Sequence, residues 1–170
     1  LNDISITYQL DEQLQHANLH LEISGNQLSG TNIRWTIFDP SDKEVFSDTI
    51  ACANNIFSQN ARLSDVALWW PHNIGTPELY RHSFELLDPD QNVIAQYSKH
   101  TGFRKMELIM NEGSWDEPAD FPKSRSVPPI QLRINNISFF AKGTNWVQPD
   151  IFYGRLNEEI YNRQLTLIKE

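Results

Sequence analysis

Apolar and polar residues alternate one by one along most of the first hundred positions of the chain. An alternation of period two places one side of an extended segment against a core and the other side in solvent, so it predicts β-strands. The runs that show this alternation cover residues 4–10, 19–23, 33–37, 45–50, 56–63, 79–87 and 93–101. Trp35 lies in the middle of the third run, and we expect its ring to be buried.

Glycine, proline and aspartate residues separate these runs. Gly25-Asn26 and Gly30 bracket one turn, and residues 39–42 and 88–90 each place a proline between aspartates. The aspartate side chains at such positions can bind the local backbone. Seven short strands with regular turns and no helical period indicate an immunoglobulin-like β-sandwich. The spacing alone leaves a small β-barrel open as the alternative.

The pattern changes after about residue 107. Residues 108–129 are rich in proline among charged and polar residues, which predicts a linker or a long loop. Two short apolar runs, 130–134 and 137–141, then flank Asn135-Asn136. This arrangement predicts a tight hairpin, because asparagine tolerates a positive φ. A further extended run follows at residues 139–147.

A helix is predicted at the end of the sequence. Asn157 suits the N-cap position, and the two glutamates that follow it suit the positive end of the helix dipole. The apolar residues that share one face of this helix are Tyr161, Leu165 and Ile168. No glycine or other stop signal precedes Glu170, so we expect the sequence to be part of a longer protein.

The charge of the chain narrows the classes of partner. Fourteen basic and 22 acidic residues give a formal net charge of −8, which argues against a nucleic-acid-binding protein and against binding to an anionic membrane surface. Cys52 is the single cysteine, so no disulfide within the chain is possible. The histidines show no zinc-ligand spacing, and no glycine-rich phosphate loop is present. We therefore expect no metal site and no cofactor.

A few residues have side chains suited to binding or catalysis. Trp69 and Trp70 precede Pro71, and we expect them to cover the end of the sandwich; the alternative is that they stack on sugar rings. The carboxylates that most resemble a site are Glu112, Asp116 and Glu117. They lie in the proline-rich stretch, where we expect them to be solvated.

Three motifs carry a resemblance to a known family. Residues 68–80 read LWWPHNIGTPELY, residues 101–104 read TGFR, and residues 139–150 read FFAKGTNWVQPD. Their order and separations resemble the family 2 glycoside hydrolases, in the β-mannosidase-like branch. The resemblance implies a sandwich over residues 1–107, a linker over 108–129, and the hairpin, first strand and first helix of a truncated TIM barrel over 130–170. The family's usual Asn-Gly is Asn135-Asn136 in this chain.

The resemblance also implies an activity for the longer enzyme, the retaining hydrolysis of a terminal β-mannoside. The family's two catalytic glutamates are expected after Glu170, so no residue of this chain is predicted to be catalytic. Asn111-Glu112 mimics the family's Asn-Glu pair but precedes the first barrel strand, and we reject it. The ends of barrel strands carry functional side chains, so the residues predicted to line the sugar pocket are Asn145, Trp146 and Asp150.

Other interpretations of the chain remain open at this point. The sandwich could be a carbohydrate-binding module, or the longer enzyme could be a β-galactosidase or β-glucuronidase of the same family. We also expect that the barrel segment, residues 130–170, supports a homodimer, because unpaired strand edges and an apolar helix face are readily covered by a symmetric partner.

Overall fold

A computed structural model describes residues 1–112, 130–143 and 146–169 of the chain, and these residues are mainly β-structure. The elements in chain order are β1 (Asp3–Leu10), β2 (His16–Ser24), β3 (Asn32–Phe38), β4 (Glu44–Ala51), β5 (Ile56–Ser64), β6 (Tyr80–Leu87), β7 (Val93–Thr101), β8 (Met106–Met110), β9 (Ile130–Ile134), β10 (Ile137–Phe139), a 3₁₀ helix (Tyr153–Arg155) and α1 (Glu158–Lys169). No helix in these ranges is long and apolar enough to cross a membrane.

The first seven strands form two antiparallel sheets. One sheet has the order β1-β2-β5 and the other has the order β4-β3-β6-β7. Apolar residues from both sheets join in one buried cluster, so the sheets pack face to face. This arrangement confirms the predicted immunoglobulin-like sandwich. The ladders of the two sheets are separate among the described strands, which distinguishes the sandwich from the small barrel.

The core lies between the two sheets and follows the predicted alternation. On β2, for example, Leu19, Leu21 and Ile23 are buried while the residues between them are exposed. Trp35 has no exposed surface, as predicted from its position in β3. Its ring packs near Phe46 and Phe84, with ring centroids 5.2 and 6.3 Å away. The sandwich therefore depends on packing rather than on a disulfide, and Cys52 is a buried free thiol.

The two aspartate-proline turns form as predicted. Asp39 Oδ1 accepts hydrogen bonds from the backbone N–H groups of Ser41 and Lys43, at 2.9 and 3.0 Å. Asp88 Oδ1 accepts one from the N–H of Asn92 at 2.8 Å. These bonds hold the pKa of both carboxyl groups below the usual value, with the Ser41 and Asn92 side chains making the largest contributions. Each turn thus joins two consecutive strands, β3 to β4 and β6 to β7.

A third, smaller sheet has the order β10-β9-β8. Ile134 pairs with Ile137 across a two-residue turn in which Asn135 and Asn136 have φ values of 46° and 66°. The predicted hairpin is confirmed, and both asparagines adopt the left-handed conformation expected there. The strand β8 extends three residues into the predicted linker, and the rest of that linker, residues 113–129, lies outside the described residues.

By compactness the chain separates into the units Leu1–Phe139 and Phe140–Glu170. The first unit combines the sandwich with the three-stranded sheet, because β8 and β9 pair along their whole length. The predicted domain limits at residues 107 and 130 stay predictions, since compactness alone groups residues without defining a domain.

In the second unit, α1 begins where the sequence predicted. Asn157 Oδ1 accepts a hydrogen bond from Ile160 N–H at 3.0 Å, which confirms Asn157 as the N-cap. The segment predicted as the first barrel strand, residues 139–147, forms no ladder beyond Phe139 among the described residues. A strand needs a neighbouring strand for its backbone hydrogen bonds, and the described chain provides none for this segment.

Candidate functional site

Two of the three motifs meet at one end of the sandwich. Trp69 N–H donates a hydrogen bond to Phe103 O at 2.8 Å, and Leu68 forms a parallel bridge with Phe103. The Phe103 ring is completely buried. The segment that contains the tryptophan pair and the segment that leaves β7 are therefore joined by backbone pairing. We call this region the junction, defined by residues 68–70 and 102–105 together with Tyr8 and Asn135.

The hydroxyl group of Tyr8 links the first strand to the junction. Arg104 N–H donates to this hydroxyl at 3.1 Å, and the carbonyl oxygens of Gly102 and Arg104 both lie 3.1 Å from it, so its single proton is donated to one of them. The Tyr8 ring also meets the edge of the Phe103 ring at 5.1 Å. Such an aromatic contact adds to the energy of burial. Tyr8 therefore fixes the chain where it leaves β7.

Trp69 is enclosed on two sides. A Cβ atom placed on Gly102 would lie 2.7 Å from Trp69 Cδ1, so only glycine fits this close approach. The Arg104 guanidinium lies over the Trp69 ring, 4.7 Å from its centre, which is a cation–π geometry. The ring is half-buried. This enclosure leaves Trp69 little free surface on which a flat ligand could stack.

Trp70 is held by a compact loop. Its N–H donates to Thr76 O at 3.0 Å, and Gly75 N–H donates to Pro71 O at 3.0 Å. A Cβ atom on Gly75 would lie 2.9 Å from Trp70 Cβ, so this glycine again allows a close approach. Trp70 is also half-buried. The glycine and prolines of the motif thus have a local structural purpose.

Asn135 connects the hairpin to the junction. Its N–H donates to Lys105 O at 2.9 Å, its Oδ1 accepts from Lys105 N–H at 2.9 Å, and its Nδ2 donates to Trp69 O at 3.1 Å. Only 5% of Asn135 is exposed, although it lies in a turn. Three hydrogen bonds from one buried residue fix the hairpin to the sandwich. The sequence predicted only the turn, because the partners of Asn135 are 30 and 66 residues away.

Tyr80 supports the junction from inside the sandwich. Its hydroxyl accepts a hydrogen bond from Ala67 N–H at 2.9 Å, and its ring lies 4.7 Å from the Phe103 ring. Burial raises the pKa of the Tyr80 phenol, although the Ala67 hydrogen bond opposes this shift. Tyr80 therefore stays protonated and serves as a packing residue.

The predicted sugar-pocket residues lie in the second unit. Asn145 falls outside the described residues. Trp146 is 36% exposed, and its ring centre lies 6.5 Å from that of Tyr161 on α1. Asp150 Oδ1 accepts a hydrogen bond from Phe152 N–H at 2.8 Å, which orders the turn before the 3₁₀ helix. The structure therefore assigns local contacts to Trp146 and Asp150, and their role in binding sugar stays a prediction.

The remaining carboxylates form no pair suited to catalysis among the described residues. Glu112 is exposed, while Asp116 and Glu117 lie outside the described ranges. Within the described ranges no group of three or more histidine, cysteine, aspartate or glutamate residues could hold a metal ion. The largest depression, about 660 Å³, lies on the polar outer face of the β1-β2-β5 sheet and contains no carboxylate.

Comparison with known sequences supports the motif resemblance. A family model described as "Glycosyl hydrolases family 2" matches residues 1–104. Beta-mannosidase A of Aspergillus aculeatus is 29% identical over 102 residues, covering 58% of this chain and 10% of the relative. Beta-mannosidase B of Aspergillus terreus is 30% identical over 102 residues, covering 60% of this chain and 11% of the relative. The chain thus spans about a tenth of the curated relatives that it matches.

Solved structures extend the likeness to nearly the whole chain. The Bifidobacterium dentium beta-glucuronidase complexed with coumarin-3-O-glucuronide superposes with a TM-score of 0.70 at 23% identity, covering 98% of this chain and 25% of that chain. The Bacteroides uniformis beta-glucuronidase 3 superposes with a TM-score of 0.70 at 22% identity, covering 99% of this chain and 18% of that chain. At these identities the likeness shows the fold alone.

Proposed function

Because the chain belongs to family 2 of the glycosyl hydrolases, we propose that it is the accessory sandwich and the start of the catalytic barrel of a β-mannosidase-like enzyme. The longer enzyme would hydrolyse terminal β-mannosides with retention, using two glutamates supplied outside these 170 residues. The 170-residue chain alone would be inactive. Asn145, Trp146 and Asp150 are the residues we propose for its sugar pocket.

The observation that carries the role of the sandwich is the junction. Asn135 is fixed by hydrogen bonds to Lys105 and Trp69, and the residues that follow its hairpin are those that resemble the start of the barrel. Barrel catalysis needs side chains held in place within a fraction of an ångström, so a rigid starting point has value. The proposed work of the sandwich is therefore to anchor the first barrel segment.

The choice of mannoside rests on the sequence relatives. The curated matches at 29–30% identity are beta-mannosidases, whereas the glucuronidase likeness is one of fold. A β-glucuronidase or β-galactosidase with this fold is the alternative within the family. A glucuronide differs from a mannoside by its carboxylate, so the two activities separate cleanly in an assay.

The geometry of the tryptophan pair disfavours a carbohydrate-binding module. A binding platform needs exposed flat rings, whereas Trp69 lies between Gly102 and the Arg104 guanidinium. Titration of the chain with mannooligosaccharides is therefore expected to leave tryptophan fluorescence unchanged. A saturable change that disappears in Trp69→Phe would support the binding module instead.

The enzyme activity is tested with a panel of nitrophenyl glycosides. The full-length enzyme expressed from the gene is expected to hydrolyse the β-mannoside with a kcat/KM at least about tenfold above those for the β-glucuronide and β-galactoside, a difference of about 1.4 kcal/mol in transition-state stabilisation. The 170-residue chain is expected to hydrolyse none of them. A preference for the glucuronide would overturn the assignment of the sugar, and turnover by the repurified 170-residue chain would contradict the role as an accessory domain.

A further inference from the structure

One face of the β10-β9-β8 sheet carries only apolar side chains. Residues directly opposite each other in an antiparallel ladder project to the same face. The ladders align Met106 with Ile134 and Ile137, and Leu108 with Leu132 and Phe139. Met110 and Ile130 form a third apolar row on this face. We call this surface, defined by these eight residues, the apolar face.

The opposite face of the same sheet is mostly polar. Glu107 pairs with Arg133, and Gln131 and Ser138 are exposed on that side. The sheet is thus amphipathic, with one face suited to water and one suited to a packed interface. An amphipathic sheet of this kind normally lies against another layer of structure.

Much of the apolar face is uncovered in this chain. Ile134 is completely buried against the sandwich, but Met106 is 48%, Leu108 is 61% and Ile137 is 52% exposed. A contiguous apolar surface of this kind is unusual on a protein that acts alone and marks an interaction site. The exposed part therefore needs a partner that matches it with apolar groups.

The apolar face is held rigidly in place. Asn135, at the turn between β9 and β10, is bound to Lys105 and Trp69, so the hairpin cannot swing away from the sandwich without breaking buried hydrogen bonds. A surface that is fixed before its partner arrives loses little conformational entropy on docking. This rigidity favours a permanent interface.

We propose that the apolar face is the docking surface for the catalytic body of the same enzyme, which rests on the function proposed above. The chain matches about a tenth of the length of its curated relatives, so most of a relative's polypeptide lies outside the matched part. The face carries no charge, which fits a permanent apolar interface better than a transient one. The face also ends at Phe139, immediately before the segment that resembles the start of the barrel. The catalytic body is therefore the apolar partner nearest along the chain.

The test compares two single substitutions in the full-length enzyme. Leu108→Asp places a charge at the centre of the apolar face, and Gln131→Asp places the same charge on the opposite, polar face of the sheet. We expect Leu108→Asp to lower the Tm of the full-length enzyme by more than about 5 °C, because it buries an unpaired carboxylate, whereas Gln131→Asp leaves the Tm within about 1 °C. In the 170-residue chain, where Leu108 is exposed, both variants should unfold within about 2 °C of the parent.

Several outcomes overturn the proposal. Equal Tm values for the two full-length variants would show that the apolar face is not buried in the enzyme. A dimer of the 170-residue chain in sedimentation, dissociated by Leu108→Asp but not by Gln131→Asp, would assign the face to a second copy. The Tm needs no substrate, so a full-length enzyme that hydrolyses no mannoside but loses stability in Leu108→Asp would refute only the proposed activity.

Discussion

At the scale of single residues, the centre of the sandwich contains a buried polar contact. Trp35 Nε1–H donates a hydrogen bond to His82 Nδ1 at 3.2 Å, and neither residue has any exposed surface. The acceptor role of Nδ1 places the imidazole proton on Nε2, which has no hydrogen-bond partner. Such an unpaired buried group is costly, and a charged imidazole would be costlier still. The contact therefore requires a neutral histidine.

Removing the Trp35 ring should strongly destabilise the sandwich. Trp35→Ala is expected to cost about 3–5 kcal/mol, the usual range for emptying a buried tryptophan site. Domains of this size have a stability of about 5–15 kcal/mol, so the variant would be marginal. Urea denaturation measures the loss, and Trp35→Phe, which refills most of the volume, should lose less. An unchanged urea midpoint in Trp35→Ala would contradict the burial of the ring.

His82 should make the stability of the sandwich depend on pH. Burial, with a smaller contribution from His100, lowers the pKa of His82 from 6.5 to about 4. As the pH falls below 6.5 the unfolded chain takes up the proton first, so stability present at neutral pH is lost towards pH 4. The loss is expected to approach about 3 kcal/mol, since one pKa unit corresponds to about 1.4 kcal/mol.

The control for this pH effect is His82→Asn, which keeps an acceptor for Trp35 but cannot titrate. Urea midpoints measured from pH 7.5 to 4.5 should fall less steeply in the variant than in the parent, whatever the variant's absolute stability. The aspartates with lowered pKa values, such as Asp39, are common to both proteins and cancel in the difference. Parallel curves would show that His82 does not set the pH dependence.

At the scale of elements, the hairpin between β9 and β10 depends on two asparagines with different roles. Asn135→Ala removes the side chain that satisfies Lys105 N–H and Trp69 O, so we expect a loss of about 2–4 kcal/mol. Asn136 is exposed with φ 66°, and Asn136→Gly should stay within about 0.5 kcal/mol of the parent. Denaturation of both variants separates the roles. Equal losses would show that only the turn conformation matters.

The sequence predicted the strands of the sandwich but not all of their pairings. Alternation along β2 and β3 located the strands because burial of one face leaves a local record. The pairing of β8 with β9 left no such record, since the two strands are separated by the proline-rich stretch and each is only five residues long. The hydrogen bonds of Tyr8 and Asn135 were also invisible, because a residue's distant partners cannot be inferred from its neighbours in sequence.

At the scale of the molecule, the described chain combines a self-sufficient sandwich with apolar surfaces that are not. The sandwich encloses its own core, including Cys52, whose pKa is raised by burial so that the thiol stays protonated. The three-stranded sheet and α1 instead expose apolar residues such as Leu108 and Leu165. The predicted homodimer and the proposed catalytic body are two ways to cover such surfaces, and sedimentation of the 170-residue chain distinguishes them.

The bonds of the Tyr8 hydroxyl also constrain how the protein assembles during synthesis. Tyr8 and Arg104 are 96 residues apart, so at roughly 5–20 residues per second a ribosome makes the second partner roughly 5–20 s after the first. During that interval β1 can pair with β2, but the Tyr8 ring has no Phe103 to pack against. Asn135 is made later still, after Trp69 and Lys105. The nascent chain can therefore close the sandwich first and attach the hairpin to an end that is already folded.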